Sequence, residues 1–187
     1  RNTKMKIHYN DKHLRSWIHN VVRDINKDNW RPDYIVGITR GGLIPATMLS
    51  HYLDVKMHAL DVSFRDGDNG PESNLWMAEE AFGYVSQDEQ ATIGSRWDPS
   101  HRKRILIVDD INDSGATLEW LKQDWQSNCL PNEISVWNTV WNRNVKFAVL
   151  VDNKTSSFKT VDYFAHSVNK LDDPQWIVFP WEQFWLQ

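Results

Sequence analysis

A single cysteine, Cys129, among 187 residues leaves no material for a disulfide framework or a cysteine-rich zinc site, and it fits a reducing compartment. Its expected role is that of a small buried apolar side chain. No apolar run approaches the roughly 18 residues that a membrane span needs, and the N-terminal stretch carries no signal-peptide core. Neither a membrane nor export is indicated, so the expected location is cytoplasmic. Basic charge is also short: 21 Lys and Arg stand against 25 Asp and Glu, a formal net charge of −4, with the cations interspersed among acids. Without a basic face, the general attraction to phosphate backbones is missing and no nucleic-acid partner is expected. The histidines, at positions 8, 13, 19, 51, 58, 101 and 166, show no metal-ligand spacing and read as surface or core residues. No internal repeat, low-complexity tract or linker interrupts the chain.

What is present is an ordinary globular composition, 41% apolar and 25% charged, which argues against disorder, a collagen-like repeat or a coiled coil. The length suits one domain of roughly 100–200 residues. Tryptophan is plentiful, 11 residues, so the positions of these large rings matter. After an extended stretch at Lys6–Tyr9, apolar residues at Leu14, Trp17, Ile18, Val21, Val22 and Ile25 define one helical face, with Asn10 or Asp11 as cap and an end near Trp30. Tyr34–Ile38 reads as a buried strand, followed by a helix through Leu43–Leu53 with Pro45 in its first turn. Val55–Ser63 reads as another strand. The stretch from Arg65 to Arg102 is polar and weakly periodic, as in a functional or mobile loop, with a short helix at Leu75–Tyr84. Arg104–Val108 is the most strand-like run, suited to the centre of a parallel sheet, and a helix follows at Leu118–Trp125. Further strands are expected at Ile134–Trp141, Ala148–Val151, Tyr163–Val168 and Trp176–Phe179. This alternation predicts a single α/β domain, a mainly parallel central sheet flanked by helices.

Ligands of such sheets bind beyond the carboxyl ends of the strands, where loops enter helix N-termini. Two strand ends here carry unusual chemistry. Asp113-Ser-Gly-Ala-Thr117 offers a permissive glycine, two hydroxyls and several N–H groups at a helix start, which suits a phosphate monoester. Asp109 and Asp110 just before it are acceptors for vicinal sugar hydroxyls, or for a magnesium ion shared with phosphate. At the other end, Thr39-Arg-Gly-Gly42 adds exposed N–H groups and a guanidinium, a match for a second, more highly charged phosphate group.

The segment Ile105-Leu-Ile-Val-Asp-Asp-Ile-Asn-Asp-Ser-Gly-Ala-Thr117 resembles the phosphoribosyl-pyrophosphate (PRPP) motif of type I phosphoribosyltransferases. Val36-Gly-Ile-Thr-Arg-Gly-Gly-Leu-Ile-Pro45 is similar to the pyrophosphate loop of the bacterial xanthine-guanine members. Trp176-Ile-Val-Phe-Pro-Trp-Glu182 resembles their C-terminal base-binding segment. The resemblance spans nearly all of residues 1–187. It implies salvage of a 6-oxopurine (guanine, xanthine or hypoxanthine), which displaces pyrophosphate from PRPP with Mg2+ as cofactor, in a homo-oligomer. Carried over by position, Asp109 and Asp110 hold the ribose hydroxyls, with Asp110 also at the metal. Asp113 handles the purine N7 proton as catalytic acid-base, and Asp113, Ser114, Gly115, Ala116 and Thr117 cradle the 5′-phosphate. Thr39, Arg40 and Gly41 line the pyrophosphate site, where the family uses a non-proline cis peptide. Lys154 reads the purine 6-oxo group, Trp176 stacks on the base, and the Ile177 backbone reads its edge. The base-binding segment is expected over about 152–187, and a mobile hood over about 63–103. There Ser63-Phe64 departs from the family's Ser-Tyr, and Trp76, Phe82, Tyr84 and Trp97 are candidates to close over a ligand or to meet a neighbouring subunit.

Three rival readings stay open at the level of sequence. One is a non-catalytic sensor of PRPP or nucleotide on the same fold. Another is a phosphoribosyltransferase for a different nucleobase, against which Lys154 and Trp176 speak. The third, a phosphatase or receiver domain, wants an Asp-x-Asp at the strand end and leaves Thr39–Gly42 unexplained.

Overall fold

The computed structural model describes residues 4–62, 74–129 and 134–182. The chain opens with β1 (Met5–His8) and α1 (Asp11–Lys27). Asn10 caps α1: its carboxamide accepts from the His13 N–H, and the His13 ring accepts from the Asn10 N–H, each at 3.1 Å. Next come β2 (Tyr34–Ile38), α2 (Leu43–Leu53) and β3 (Lys56–Leu60), then α3 (Leu75–Phe82), α4 (Gln87–Ile93) and a 3₁₀ turn at Pro99–His101. The second half holds β4 (Ile105–Asn112), α5 (Ala116–Asn128), α6 (Ile134–Trp137), β5 (Val145–Asn153), β6 (Tyr163–Val168) and β7 (Gln175–Val178).

Five strands form a wholly parallel sheet in the order β3-β2-β4-β5-β6, and β1 pairs in parallel with β7 in a separate two-stranded ladder. Side chains alternate across the strands, which splits the core into two layers. On one face, Ile35, Leu106, Val108 and Ala148 meet Leu14, Trp17, Ile18 and Val21 of α1 and Ala46 and Leu49 of α2. On the other, Val36, Ile38, Ile105, Ile107 and Phe147 meet Leu118, Leu121 and Trp125 of α5, with Trp137 and Trp141 beyond them. Both faces of β2 and β4 are therefore covered, as the unbroken apolar runs require. Cys129 is buried in the second layer, and burial pushes its thiol up to about 12, so it serves as an inert apolar filler. Among the described residues, no helix is long and apolar enough to cross a membrane.

Two expectations are corrected. Residues 74–102 are not one long loop: the short helix expected at Leu75–Tyr84 is present as α3, and α4 and a 3₁₀ turn follow it. Met77, Ala78, Ala81 and Phe82 bury one face of α3 against the sheet, Val85 follows them into the core, and Trp97 packs on Phe82 with ring centroids 5.7 Å apart. The chain is stopped at Gly83 and Gly94, both left-handed, so short helices replace the long period that a sequence pattern needs. Trp76 and Tyr84 remain exposed. Ser63, Phe64 and the following residues up to 73, where the departure from Ser-Tyr falls, lie outside the described residues. The second correction concerns Ile134–Trp141, which is not a strand: it forms α6 and a turn, and Trp137, Val140 and Trp141 are buried at helical steps of three and four. The strand begins later, at Val145, and runs through Asn153.

Candidate active site

The parallel pairing of β2 with β4 carries the two chemically unusual loops to the same edge of the sheet. They touch. A Cβ built on Gly41 would fall 2.0 Å from Asp110 Oδ2, and one on Gly42 would fall 2.5 Å from the Ile38 carbonyl oxygen and 2.6 Å from that of Val108. Only glycine lets the Thr39–Gly42 backbone lie this close to the acidic end of β4. The Thr39–Arg40 peptide is cis. Thr39 is held from β3: its N–H donates to the Leu60 carbonyl at 2.9 Å and its hydroxyl to Asp61 at 3.1 Å. Arg40 is exposed at the tip.

Asp109 and Asp110 are half-buried, and each carboxylate accepts the N–H of the next residue at 2.8 Å, which turns both inward along the loop. The chain then enters α5 through Gly115, at φ 93°. A Cβ there would meet the Phe158 nitrogen at 2.5 Å, because residues 156–158 pack beneath the loop. Ser157 fixes that packing, donating both its N–H (2.9 Å) and its hydroxyl (2.8 Å) to the Ser114 carbonyl. Buried Asn112 completes the floor, donating to Asp152 at 2.8 Å and to the Phe158 carbonyl at 2.9 Å while accepting from Ser156 at 2.8 Å. The Asp113–Thr117 loop is thus held from below and leads into the N-terminus of α5, an arrangement that suits an anion; within it the Ala116 N–H donates to the Ser114 hydroxyl at 3.2 Å.

Asp113, at the start of this loop, is half-buried. Its Oδ1 pairs with the Lys170 ammonium at 2.9 Å, and its carbonyl accepts from the Asn153 carboxamide at 2.9 Å. Lys154 is exposed at the end of β5; its N–H donates to the Val168 carbonyl at 2.8 Å. Trp176 lies on the β1–β7 ladder and is 48% exposed, so it is not a core tryptophan. Ile177 alternates inward: its side chain joins the α1 layer, and its backbone is paired opposite Ile7. The geometry therefore joins Thr39–Gly42 with Asp109–Asp110, and Asp113 with the loops that follow β5 and β6. Trp176 and Ile177 lie on the smaller β1–β7 ladder, and positions 183–187 lie outside the described residues.

The phosphoribosyl transferase domain description matches residues 8–186. The chain belongs to this family. Among relatives, it is 30% identical to xanthine phosphoribosyltransferase 1 of Saccharomyces cerevisiae over 158 residues, covering 76% of this chain and 67% of the yeast protein. It is 30% identical to xanthine-guanine phosphoribosyltransferase of Cereibacter sphaeroides over 154 residues, 82% of this chain and 70% of the other. A crystal structure of a purine phosphoribosyltransferase from Pyrococcus horikoshii Ot3 superposes with a TM-score of 0.61 at 26% identity, covering 96% and 95% of the two chains.

Within this phosphoribosyltransferase fold, the donor set at Asp109 and Asp110 fits magnesium, which takes one or two carboxylates and completes its shell with phosphate oxygens and water. Among the described residues, no group of three or more His, Cys, Asp or Glu side chains gathers to hold a metal by itself. A cavity of about 320 Å³ lies at the opposite ends of β2 and β3, lined by Asp33, Tyr34, Lys56, His58, Trp76, Glu80 and Lys103. It is remote from the carboxyl edge that the phosphoribosyltransferase loops occupy. Sequence reasoning missed Asn112, Asn153, Ser156, Ser157 and Lys170. The two asparagines are buried polar residues ending apolar strands, a signal that was available; Lys170 carries none.

Proposed function

We propose that this phosphoribosyltransferase moves the 5-phosphoribosyl group of PRPP onto a 6-oxopurine base, releasing pyrophosphate and a nucleoside monophosphate. The observation that carries this reading is the contact between Gly41 and the Asp110 carboxylate, which sets a pyrophosphate-type loop beside a ribose-phosphate loop. A substrate with a 5′-phosphate at one end and a pyrophosphate at the other end of one sugar spans that arrangement. The xanthine and xanthine-guanine names of its relatives support a 6-oxopurine acceptor.

In the reaction the C1′–O bond to pyrophosphate breaks and a C1′–N9 bond forms, with positive charge building on the ribose and negative charge on the leaving group. The N–H groups of Asp113–Thr117 anchor the 5′-phosphate, and Asp109 and Asp110 fix the ribose hydroxyls, so C1′ is presented in one orientation. Arg40, with the Thr39 and Gly41 backbone, meets the departing pyrophosphate where its charge grows. Asp110 would hold Mg2+, which would supply further charge neutralisation at the departing group. As N9 attacks, the base releases its N7 proton, and the Asp113 carboxylate accepts it. Trp176, with an exposed indole, stacks on the base, the Ile177 backbone meets its edge, and Lys154 donates to the 6-oxo group. Free bases and PRPP are cytoplasmic solutes, and that is the compartment we assign. The α2 stripe of Ile44, Met48 and Tyr52, with Ile44 and Tyr52 exposed, suits contact between copies in a homo-oligomer.

The test is product stoichiometry. With PRPP and Mg2+, each of guanine, xanthine and hypoxanthine is offered, and nucleotide and pyrophosphate are counted. Equal yields of the two products over many turnovers are expected. Tight PRPP binding without turnover on these three bases, or on adenine and orotate offered in the same way, would instead establish a PRPP-sensing protein.

A further inference from the structure

The ion pair between Lys170 and Asp113 belongs to no motif in the sequence, yet it sits on the side chain assigned to proton transfer. Exposed pairs contribute little, because both side chains are free to leave. This pair differs. The Lys170 side chain is only 20% exposed, against 46% for Asp113, so the ammonium is committed to the carboxylate.

One buried amide holds both partners in place. Asn153, 6% exposed at the end of β5, donates through Nδ2 to the Asp113 carbonyl at 2.9 Å and more weakly to Oδ1 at 3.5 Å. Its Oδ1 accepts from the Lys170 N–H at 3.2 Å, the Thr155 N–H at 3.3 Å and the Thr155 hydroxyl at 3.0 Å. The backbone positions that carry the acid and the ammonium are thereby registered on the same group, as a preorganised site requires. Lys170 also lies in the connection between β6 and β7, six residues before Trp176, so the segment that presents the stacking indole is tied to the acid.

We propose that Lys170 is a positioning residue for Asp113, holding Oδ1 so that Oδ2 faces the base and receives its N7 proton. This inference rests on the reading of Asp113 as the proton acceptor. Its consequence is kinetic: freeing the carboxylate lowers turnover and leaves PRPP binding intact, because the 5′-phosphate loop is held independently by Ser157 and Asn112.

A double-mutant cycle tests it, using Asp113→Asn, Lys170→Met and the pair, with kcat and both KM values measured for guanine and PRPP. Lys170→Met is expected to lower kcat at least about tenfold, the scale of a misplaced catalytic group, with the PRPP KM within about twofold of wild type. In the Asp113→Asn background the same change should cost less than about twofold, because Lys170 then has nothing left to position. Lys170→Arg, which can still pair with a carboxylate, should recover most of the loss, and Lys170→Gln replaces Lys170→Met in the cycle if the latter melts early by circular dichroism. Multiplicative losses in the double variant, an unchanged kcat in Lys170→Met, or a PRPP KM that rises in step would overturn the positioning role. Full turnover in Asp113→Asn is a separate outcome, which removes the reading of Asp113 itself.

Discussion

Replacing Gly41 by alanine probes the meeting of the two loops at its closest point. The Gly41 backbone is outside the left-handed region, so alanine is not barred there by its dihedral angles. Its methyl group is barred by the Asp110 carboxylate, whose Oδ2 would lie 2.0 Å and Cγ 2.6 Å away. The carboxylate is the movable partner and must swing by well over an ångström to reach ordinary contact. Doing so breaks the 2.8 Å bond that Asp110 accepts from the Ile111 N–H, a bond to a charged group worth about 1.5–3 kcal/mol. Water reaches the half-buried carboxylate and offsets part of that, leaving a stability loss on the order of 1 kcal/mol, or roughly 2–4 °C in melting temperature for a chain this long. The functional loss is larger, because an ångström of displacement at a binding carboxylate costs on the order of 10²-fold in kcat/KM for PRPP. Gly42→Ala is the control with the opposite profile: its methyl group meets main-chain oxygens of Ile38 and Val108 that cannot swing aside. Overpacking of that kind costs about 1–3 kcal/mol or more, a fall in melting temperature that exceeds that of Gly41→Ala. Thermal melts and PRPP saturation curves on the two variants check both halves. A Gly41→Ala protein with wild-type kcat/KM for PRPP would refute the placement of Asp110 in the PRPP site.

Three further outcomes follow from the same geometry. Asp113→Asn should fold and bind PRPP normally but lose about 10²-fold or more in kcat, since only the proton acceptor is removed; undiminished turnover contradicts its role. Trp176→Ala should barely change the melting temperature, the indole being 48% exposed, yet weaken guanine, xanthine and hypoxanthine together by about 1–3 kcal/mol of lost stacking; a loss confined to one base argues against stacking. His166 should make stability pH-dependent: burial, with a smaller contribution from His13, holds its pKa below the ordinary value, while its ring packs on Trp17 and bonds to the Tyr9 hydroxyl at 3.2 Å. A depressed histidine leaves the folded state intact above the unfolded pKa of about 6.5 and destabilises it as pH falls below that, so His166→Gln should flatten the wild-type decline in melting temperature between about pH 7 and 5. Parallel curves would show that His166 titrates alike in both states.

The parts of this structure that sequence reveals are those written in local pattern. Ile105–Val108 followed by Asp109–Thr117 shows both a central strand and the chemistry at its end, because a buried parallel strand must be apolar until it emerges. Trp137, Val140 and Trp141 also carry a pattern, helical steps of three and four, but the β-branched and aromatic composition of Ile134–Trp141 points to a strand. Tertiary packing of the indoles decides for the helix. Residues 74–102 are legible only in part: α3 falls inside the short helix expected at Leu75–Tyr84, whereas α4 and the 3₁₀ turn hold no buried residue that would mark a period. At the site, Asn153 reaches Asp113 across 40 positions, and Lys170 reaches it from another loop. Such contacts exist only once β4, β5 and β6 are aligned, so no spacing rule announces them.

The most direct test of the central claim is a comparison of kcat/KM for guanine, xanthine, hypoxanthine, adenine and orotate, with PRPP and Mg2+ held saturating. A pocket that hydrogen-bonds a 6-oxo group and takes a proton from N7 leaves donors unpaired against adenine and offers no N7 partner in orotate. At least one 6-oxopurine is therefore expected to exceed adenine and orotate by about 10²-fold or more. Adenine or orotate matching the best 6-oxopurine would contradict the account.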